Sequence, residues 1–257
     1  TSGDTGEATV TGTLTFTNAD WDTPQTVTVT GVDDNLIDGT IASTITIAVS
    51  DSESNDSFDN LADQIVSSNT TDDDTAGFTV AETDGSTEVA ESGTTDTFTV
   101  VLDAQPLSDV VLTVTSGDTG EATVTSTLTF SPLNWDTPQT VTVTGVDENI
   151  IDGTVSSTIT VAVDDASSDN DFDAVADQTV TATTTDDDVA GFTIVETDGS
   201  TEVTESGTTD TFTVVLTAQP ASDVVLTVTA DANDEASVAP SSVSFTPANW
   251  DTPQTVT

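Results

Sequence analysis

The sequence contains no Lys, no Arg and no His, so its 47 Asp and Glu side chains face no cationic side chain anywhere in 257 residues. Lys and Arg together ordinarily make up roughly a tenth of a chain, so their complete absence reflects selection or inheritance through repetition rather than chance. A field of one sign repels nucleic acid and anionic lipid head groups, and its natural partners are cations. Cys is missing too, which excludes disulfides and thiolate ligands and leaves any metal to oxygen donors. Met is absent even at position 1, there is no signal peptide, and no apolar run is long enough to span a bilayer. The sequence therefore reads as an internal stretch of a longer protein, whose leader, anchor and head would lie outside it.

What is present is repetition. Ser2-Gly3-Asp4-Thr5-Gly6-Glu7-Ala8-Thr9-Val10 recurs unchanged at Ser116 to Val124, and Trp21-Asp22-Thr23-Pro24-Gln25-Thr26-Val27 recurs at Trp135 to Val141, both 114 residues along. The second phrase returns at Trp250 to Val256, now 115 along, while Phe98 and Phe212 still differ by 114, so one residue has been inserted between Val238 and Phe245. Asp72-Asp73-Asp74 matches Asp186-Asp187-Asp188, and each run is followed closely by Gly-Phe, at Gly77-Phe78 and Gly191-Phe192. These junctions divide the chain into residues 1–74, the later part of one repeat; 75–188, a complete one; and 189–257, the earlier part of a third. A unit of this size suits independent domains strung as beads rather than the short units of a solenoid.

High charge with modest apolar content can mean disorder, but here the apolar residues alternate with polar ones as strands require. In the complete repeat the period of two predicts strands at 77–82, 96–102, 110–115, 122–130, 140–146, 156–163 and 177–184. Phe98, Val100 and Leu102 share one face, as do Ile159, Val161 and Val163, while Thr fills the outward positions, where β-branching favours the extended chain. No segment shows the 3.6-residue period of an amphipathic helix, and Asp84-Gly85, Ser92-Gly93 and Asp152-Gly153 punctuate the strands. The expectation is an all-β fold of tandem seven-stranded, Ig-like Greek-key sandwiches. One Trp per repeat, at Trp21, Trp135 and Trp250, precedes a strand and is expected to close one end of the core.

Most of the carboxylates are solvated surface and turn formers. The triple aspartates differ, because three adjacent like charges repel and would not be repeated at the junctions unless a divalent cation offset the repulsion. Calcium takes six to eight oxygens from carboxylates and carbonyls; magnesium keeps more of its water, and zinc normally takes His or Cys.

Val89-Ala90-Glu91-Ser92-Gly93, Thr127-Leu128-Thr129-Phe130, Val146-Asp147-Glu148-Asn149-Ile150-Ile151-Asp152-Gly153 and the closing Asp186-Asp187-Asp188 together resemble the Calx-beta domain of sodium–calcium exchangers, integrin β4 and large bacterial surface proteins. The resemblance spans nearly the whole repeat. It implies a seven-stranded sandwich that collects calcium at one end, with Glu91, Asp118, Asp147, Glu148, Asp152, Asp186, Asp187 and Asp188 as ligands. In the preceding repeat it implies Asp4, Asp33, Asp34, Asp38, Asp72, Asp73 and Asp74, and in the last only Glu205. The sequence departs from the family pattern at Thr154, often acidic there, and at Ala232, which stands where Asp118 would be repeated, with Asp231 beside it.

The function expected is structural: an extender region of a giant extracellular, bacterial, adhesin-type protein, rigidified by calcium at its domain junctions. Its partners would be calcium, the neighbouring repeats of the same chain and, in a filament, other copies; nucleic acid and direct membrane insertion are excluded. A self-assembling extracellular fibre and a carbohydrate-binding module stand as alternatives. Catalysis is not expected. Without His, Cys, Lys, Arg or Tyr only paired carboxylates or unassisted Ser/Thr remain, and a carboxylate pair would have to recur in every repeat, whereas an enzyme holds one site in one pocket.

Overall fold

The computed structural model describes residues 1–231 and 235–257, and its secondary structure is almost entirely strand. Residues 1–74 carry β1 (Ala8–Val10), β2 (Val29–Gly31), β3 (Thr40–Ile47) and β4 (Gln64–Thr71). The complete repeat carries β5 (Phe78–Glu82), β6 (Thr87–Ala90), β7 (Thr95–Leu102), β8 (Val110–Ser116), β9 (Ala122–Val124), β10 (Thr127–Phe130), β11 (Gln139–Gly145), β12 (Val155–Val163) and β13 (Gln178–Thr185). Residues 189–257 carry β14 (Phe192–Glu196), β15 (Phe212–Leu216), β16 (Val224–Thr227), β17 (Ser242–Phe245) and β18 (Gln254–Val256). Among the described residues no helix is long and apolar enough to cross a membrane.

The complete repeat is a sandwich of a five-stranded sheet, ordered β10-β8-β12-β13-β6, on a four-stranded sheet, ordered β5-β7-β11-β9. Alternation does the work expected of it. Phe98, Val100 and Leu102 on β7 and Val141 and Val143 on β11 face Val110, Leu112 and Val114 on β8 and Ile159 and Val161 on β12, all buried in one cluster. Full burial of each such side chain stabilises by about 1.5–3 kcal/mol. Phe172, on a short 3₁₀ turn, joins them. The Asp169 carboxylate holds that turn in place by accepting from Ser108 N–H at 2.7 Å and from Asp171 N–H at 3.2 Å.

Nine strand segments replace the seven expected. The run 122–130 is two strands, because the chain crosses between sheets at Thr125–Ser126: β9 pairs with β11 and β10 with β8. The strand β6 was not anticipated; it leaves the sheet that β5 belongs to and runs parallel to β13 in the other. Trp135 and Trp250 pack against their respective cores, whereas Trp21 is largely exposed.

Adjacent repeats touch through one repeated contact. Asn35 O accepts from Gln105 N–H at 2.7 Å, Ile37 N–H donates to Gln105 O at 3.2 Å, and Ile37 packs against the core of the complete repeat. One period on, Asn149 O accepts from Gln219 N–H at 2.6 Å, and Ile150 forms the same parallel bridge to Gln219 that Leu36 forms to Gln105. In each case the glutamine side chain braces its own loop, donating to Pro132 O or Pro247 O at 2.9 Å.

Candidate metal centre

The carboxylates meet where β6, β11 and β13 end. The Glu91 N–H donates to Thr185 O at 3.1 Å, continuing the parallel β6–β13 ladder and fixing the Glu91 side chain in the interior, where it is fully buried. Beside it Gly145 closes β11, and a Cβ there would overlap Ala90 O, so only glycine lets the strand pass this close. Val146 N–H then donates to Glu121 O at 2.9 Å, which sets the following acidic loop against Glu121.

Asp186 anchors that loop. Its Oδ2 accepts from Asp152 N–H at 3.1 Å and Gly153 N–H at 2.8 Å, and its Oδ1 accepts from Asp188 N–H at 2.7 Å. Gly153 supplies the left-handed backbone (φ +80°) the bend requires. The Gly153 N–H, then that of Asp188, hold the Asp186 carboxyl below the usual range, so it stays ionised.

Two oxygen-only constellations result. Carboxylate oxygens of Glu91, Glu121, Glu148 and Asp152 lie within 4.8 Å of one another, and so do those of Glu91, Asp186 and Asp188. Two oxygens on opposite sides of a calcium ion, each at about 2.3–2.6 Å, are themselves roughly 5 Å apart, so both groups have the dimensions of a calcium shell with Glu91 shared between them.

The electrostatics call for a cation. Among the described residues, five of the eight buried side-chain oxygens without a hydrogen-bond partner belong to this cluster: both of Glu91 and one each of Glu121, Glu148 and Asp188. Burial raises the Glu91 carboxyl to about 7, with Asp186 adding to it; the Asp187 N–H opposes this without reaching hydrogen-bonding geometry. Glu121 and Glu148 are raised by burial and then by Asp152, and Asp188 by burial and then by Asp186. Unpaired buried charge is costly, and among the described residues no cationic side chain relieves it.

No protein-family model and no curated protein matches this chain. Solved structures do. The Calx CBD1 domain in its apo form aligns at 15% identity over 43% of this chain and 98% of its own length, TM-score 0.32. CBD12 from CALX1.2 aligns at 16% identity over 69% of this chain and 73% of its own, TM-score 0.32. The S-layer protein rSbsC aligns at 17% identity over 85% of this chain and 26% of its own, TM-score 0.34. At these scores the likenesses carry no argument, and the site is read from its own residues.

Of the ligands expected in the complete repeat, Glu91, Glu148, Asp152, Asp186 and Asp188 converge, whereas Asp118, Asp147 and Asp187 are exposed and outside both groups. The Asp118 carboxylate caps its own turn, Oδ1 accepting from Gly120 N–H at 3.0 Å, and the inward position belongs to Glu121, three residues on. Asp118 still acts at a distance, helping to raise Glu121, as Asp147 does for Asp188. Glu121 was not anticipated, although it recurs in register as Glu7 and Glu235.

The arrangement is repeated at the end of the first 74 residues. Asp72 accepts from Asp38 N–H at 3.1 Å, Gly39 N–H at 2.9 Å and Asp74 N–H at 2.7 Å. Glu7, Asp33, Asp34, Asp38, Asp72, Asp73 and Asp74 line one cavity, while the Asp4 carboxylate caps a turn as Asp118 does. Glu205 is exposed and borders the same cavity as Glu235. Ala232 lies outside the described residues.

Proposed function

We propose that this chain is an extender segment of a large bacterial cell-surface protein of the adhesin type, built from Calx-beta-like repeats whose joints calcium stiffens. The observation that carries the proposal is that one loop has two duties. Residues 147–152 supply Glu148 and Asp152 to the acidic cluster and, between them, Asn149 and Ile150 to the contact with Gln219 of the next repeat. A cation drawn to the cluster would immobilise the same backbone that docks the neighbour, and a joint so held loses its bending freedom. Glu91, Glu121, Glu148, Asp152, Asp186 and Asp188 would hold the calcium, which supplies the positive charge that the buried, unpartnered oxygens of Glu91, Glu121, Glu148 and Asp188 demand. An all-oxygen donor set of this density favours calcium over magnesium or zinc. On this reading the carboxylates bind ions and take no part in catalysis, and the thread of domains works by spacing a binding head from a surface.

The test is small-angle scattering and thermal melting of the chain in calcium, magnesium and EDTA. Calcium should raise the melting temperature of the complete repeat and lengthen the maximum dimension relative to EDTA, and magnesium should do less. If melting temperature and maximum dimension are both indifferent to calcium, the proposal fails.

A further inference from the structure

Among the described residues three buried side-chain oxygens without a hydrogen-bond partner remain outside the acidic cluster, and two of them are Ser43 Oγ and Ser157 Oγ, at matching places in successive repeats. Ser157 is 4% exposed on the inward face of β12, ahead of Ile159 and Val161 on that face. Packing does not ask for a hydroxyl there, since the residue opposite it on β13 is the wholly buried Ala182. A hydroxyl taken out of water with nothing to bond is costly, and a buried one calls for an acceptor.

The surroundings hold one. Ser157 opposes Ala182 and Val155 opposes Thr184, so Ser157 and Thr184 are diagonal neighbours on one inward face. The Thr184 hydroxyl is already engaged: it donates to Glu121 O at 3.3 Å and ties the turn that carries Glu121 to this face. On the other flank of β12, Gly117 N–H donates to Thr158 O at 2.8 Å and Ala122 N–H to Asp118 O at 3.1 Å, which sets the β8–β9 turn beside Ser157. Glu121 on that turn is 6% exposed, and its Oε2 has no donor. One buried group therefore has a proton to give and no acceptor, while its neighbour has a lone pair and no donor. The same trio stands one repeat earlier, where Thr70 Oγ1–H donates to Glu7 O at 3.1 Å and Ser43 is diagonal to Thr70 across β3 and β4.

We propose that Ser157 is a positioning residue of the acidic end: its hydroxyl donates to the Glu121 carboxylate and sets which oxygen Glu121 turns toward calcium. The inference rests on the calcium reading given above. A carboxylate that lends one oxygen to a cation is oriented by whatever holds the other, and such outer partners raise affinity without touching the metal. The Asp186 hydrogen bonds hold the acidic loop and the β6–β13 ladder holds Glu91, but the Glu121 side chain is served by neither. Ser157 fills that role from beneath.

The test is a calcium titration of the full chain followed by NMR at the Gly145 and Gly153 amides, which report on the complete repeat alone. Ser157→Ala should weaken binding there roughly tenfold, the size of effect usual for an outer partner of a metal ligand. Ser157→Thr keeps the hydroxyl and should bind as the parent does. In a Glu121→Gln chain the further change Ser157→Ala should have no effect on affinity, because the two residues act as a unit. In EDTA, Ser157→Ala should melt no lower than the parent, since it removes a buried polar group that lacks a partner, whereas a residue needed only for packing would lower it. Unchanged affinity in Ser157→Ala, a loss that persists undiminished beside Glu121→Gln, or a lower melting temperature in EDTA would each overturn the proposal. A parent chain that binds no calcium would overturn the calcium reading with it, whereas a parent that binds while Ser157→Ala binds equally well overturns this inference alone.

Discussion

Replacing Glu91 by Gln keeps the side chain's shape and removes its charge, which isolates the electrostatic cost of the acidic end. The folded carboxyl sits at about 7 against an ordinary 4.5, so between these values the folded repeat binds a proton that the unfolded chain does not. With a raised folded value on an acid, stability falls as pH rises from 4.5 to 7; the penalty is complete above 7 and absent below 4.5. At about 1.4 kcal/mol per pH unit the span caps the penalty near 3 kcal/mol, and solvent reaching the exposed Asp152 side of the cluster screens this to about 1–2 kcal/mol. In EDTA at pH 8, E91Q should therefore melt higher than the parent by roughly 4–8 °C, at about 4 °C per kcal/mol for a domain of this size. By pH 4 the two curves should coincide. Calcium should reverse the order at pH 8, since the parent keeps a ligand the variant has lost; saturation at a hundred times the dissociation constant is worth about 2.7 kcal/mol. Calorimetry at the two pH values, with and without calcium, reads all three. A variant less stable than the parent in EDTA at pH 8 would refute the argument that buried, unpaired charge dominates this end.

Other changes separate the site from the scaffold. Gly145→Ala places a methyl group against Ala90 O and should displace the start of the acidic loop, abolishing the calcium-induced rise in melting temperature; titration calorimetry of the variant checks this. Phe98→Ala removes a wholly buried ring from the sandwich and should cost about 3–5 kcal/mol in chemical denaturation, with or without calcium. Ile37→Ser removes the side chain that the first part of the chain packs against the next core, and should increase bending in scattering profiles while leaving the melting of the complete repeat within about 1 °C.

The sandwich was legible because its strands are long and face inward on alternate residues: Phe98, Val100, Leu102, Ile159 and Val161 lie where the period of two puts them. The short β6 could not be read, since four residues give little periodicity and its partner β13 is 91 residues further on, from Thr87 to Gln178. The division of 122–130 was hidden because the residues on either side of Thr125–Ser126 keep the same alternation while changing sheets. At the site, the resemblance implies Asp118, whereas that carboxylate is occupied with Gly120 N–H and Glu121, three residues on, points inward. Repetition held the missing signal: an acid matches Glu121 in every repeat, at Glu7 and Glu235, while Asp118 gives way to Ala232. The joint had a trace as well, in the apolar pairs Leu36-Ile37 and Ile150-Ile151 set among carboxylates, where solvation alone would not place them.

The contact through Gln105 and its recurrence at Gln219 reach beyond the two domains each one links. Were the same joint made at every step of an array, one rotation and one translation would be compounded, and a rotation compounded with a translation generates a screw. The pitch and hand of a long array are then geometric consequences of one short backbone pairing, an asparagine carbonyl meeting a glutamine amide. In the proposed thread a small change of angle there would be multiplied by the number of repeats, so its long-range shape would be set where the least protein is spent.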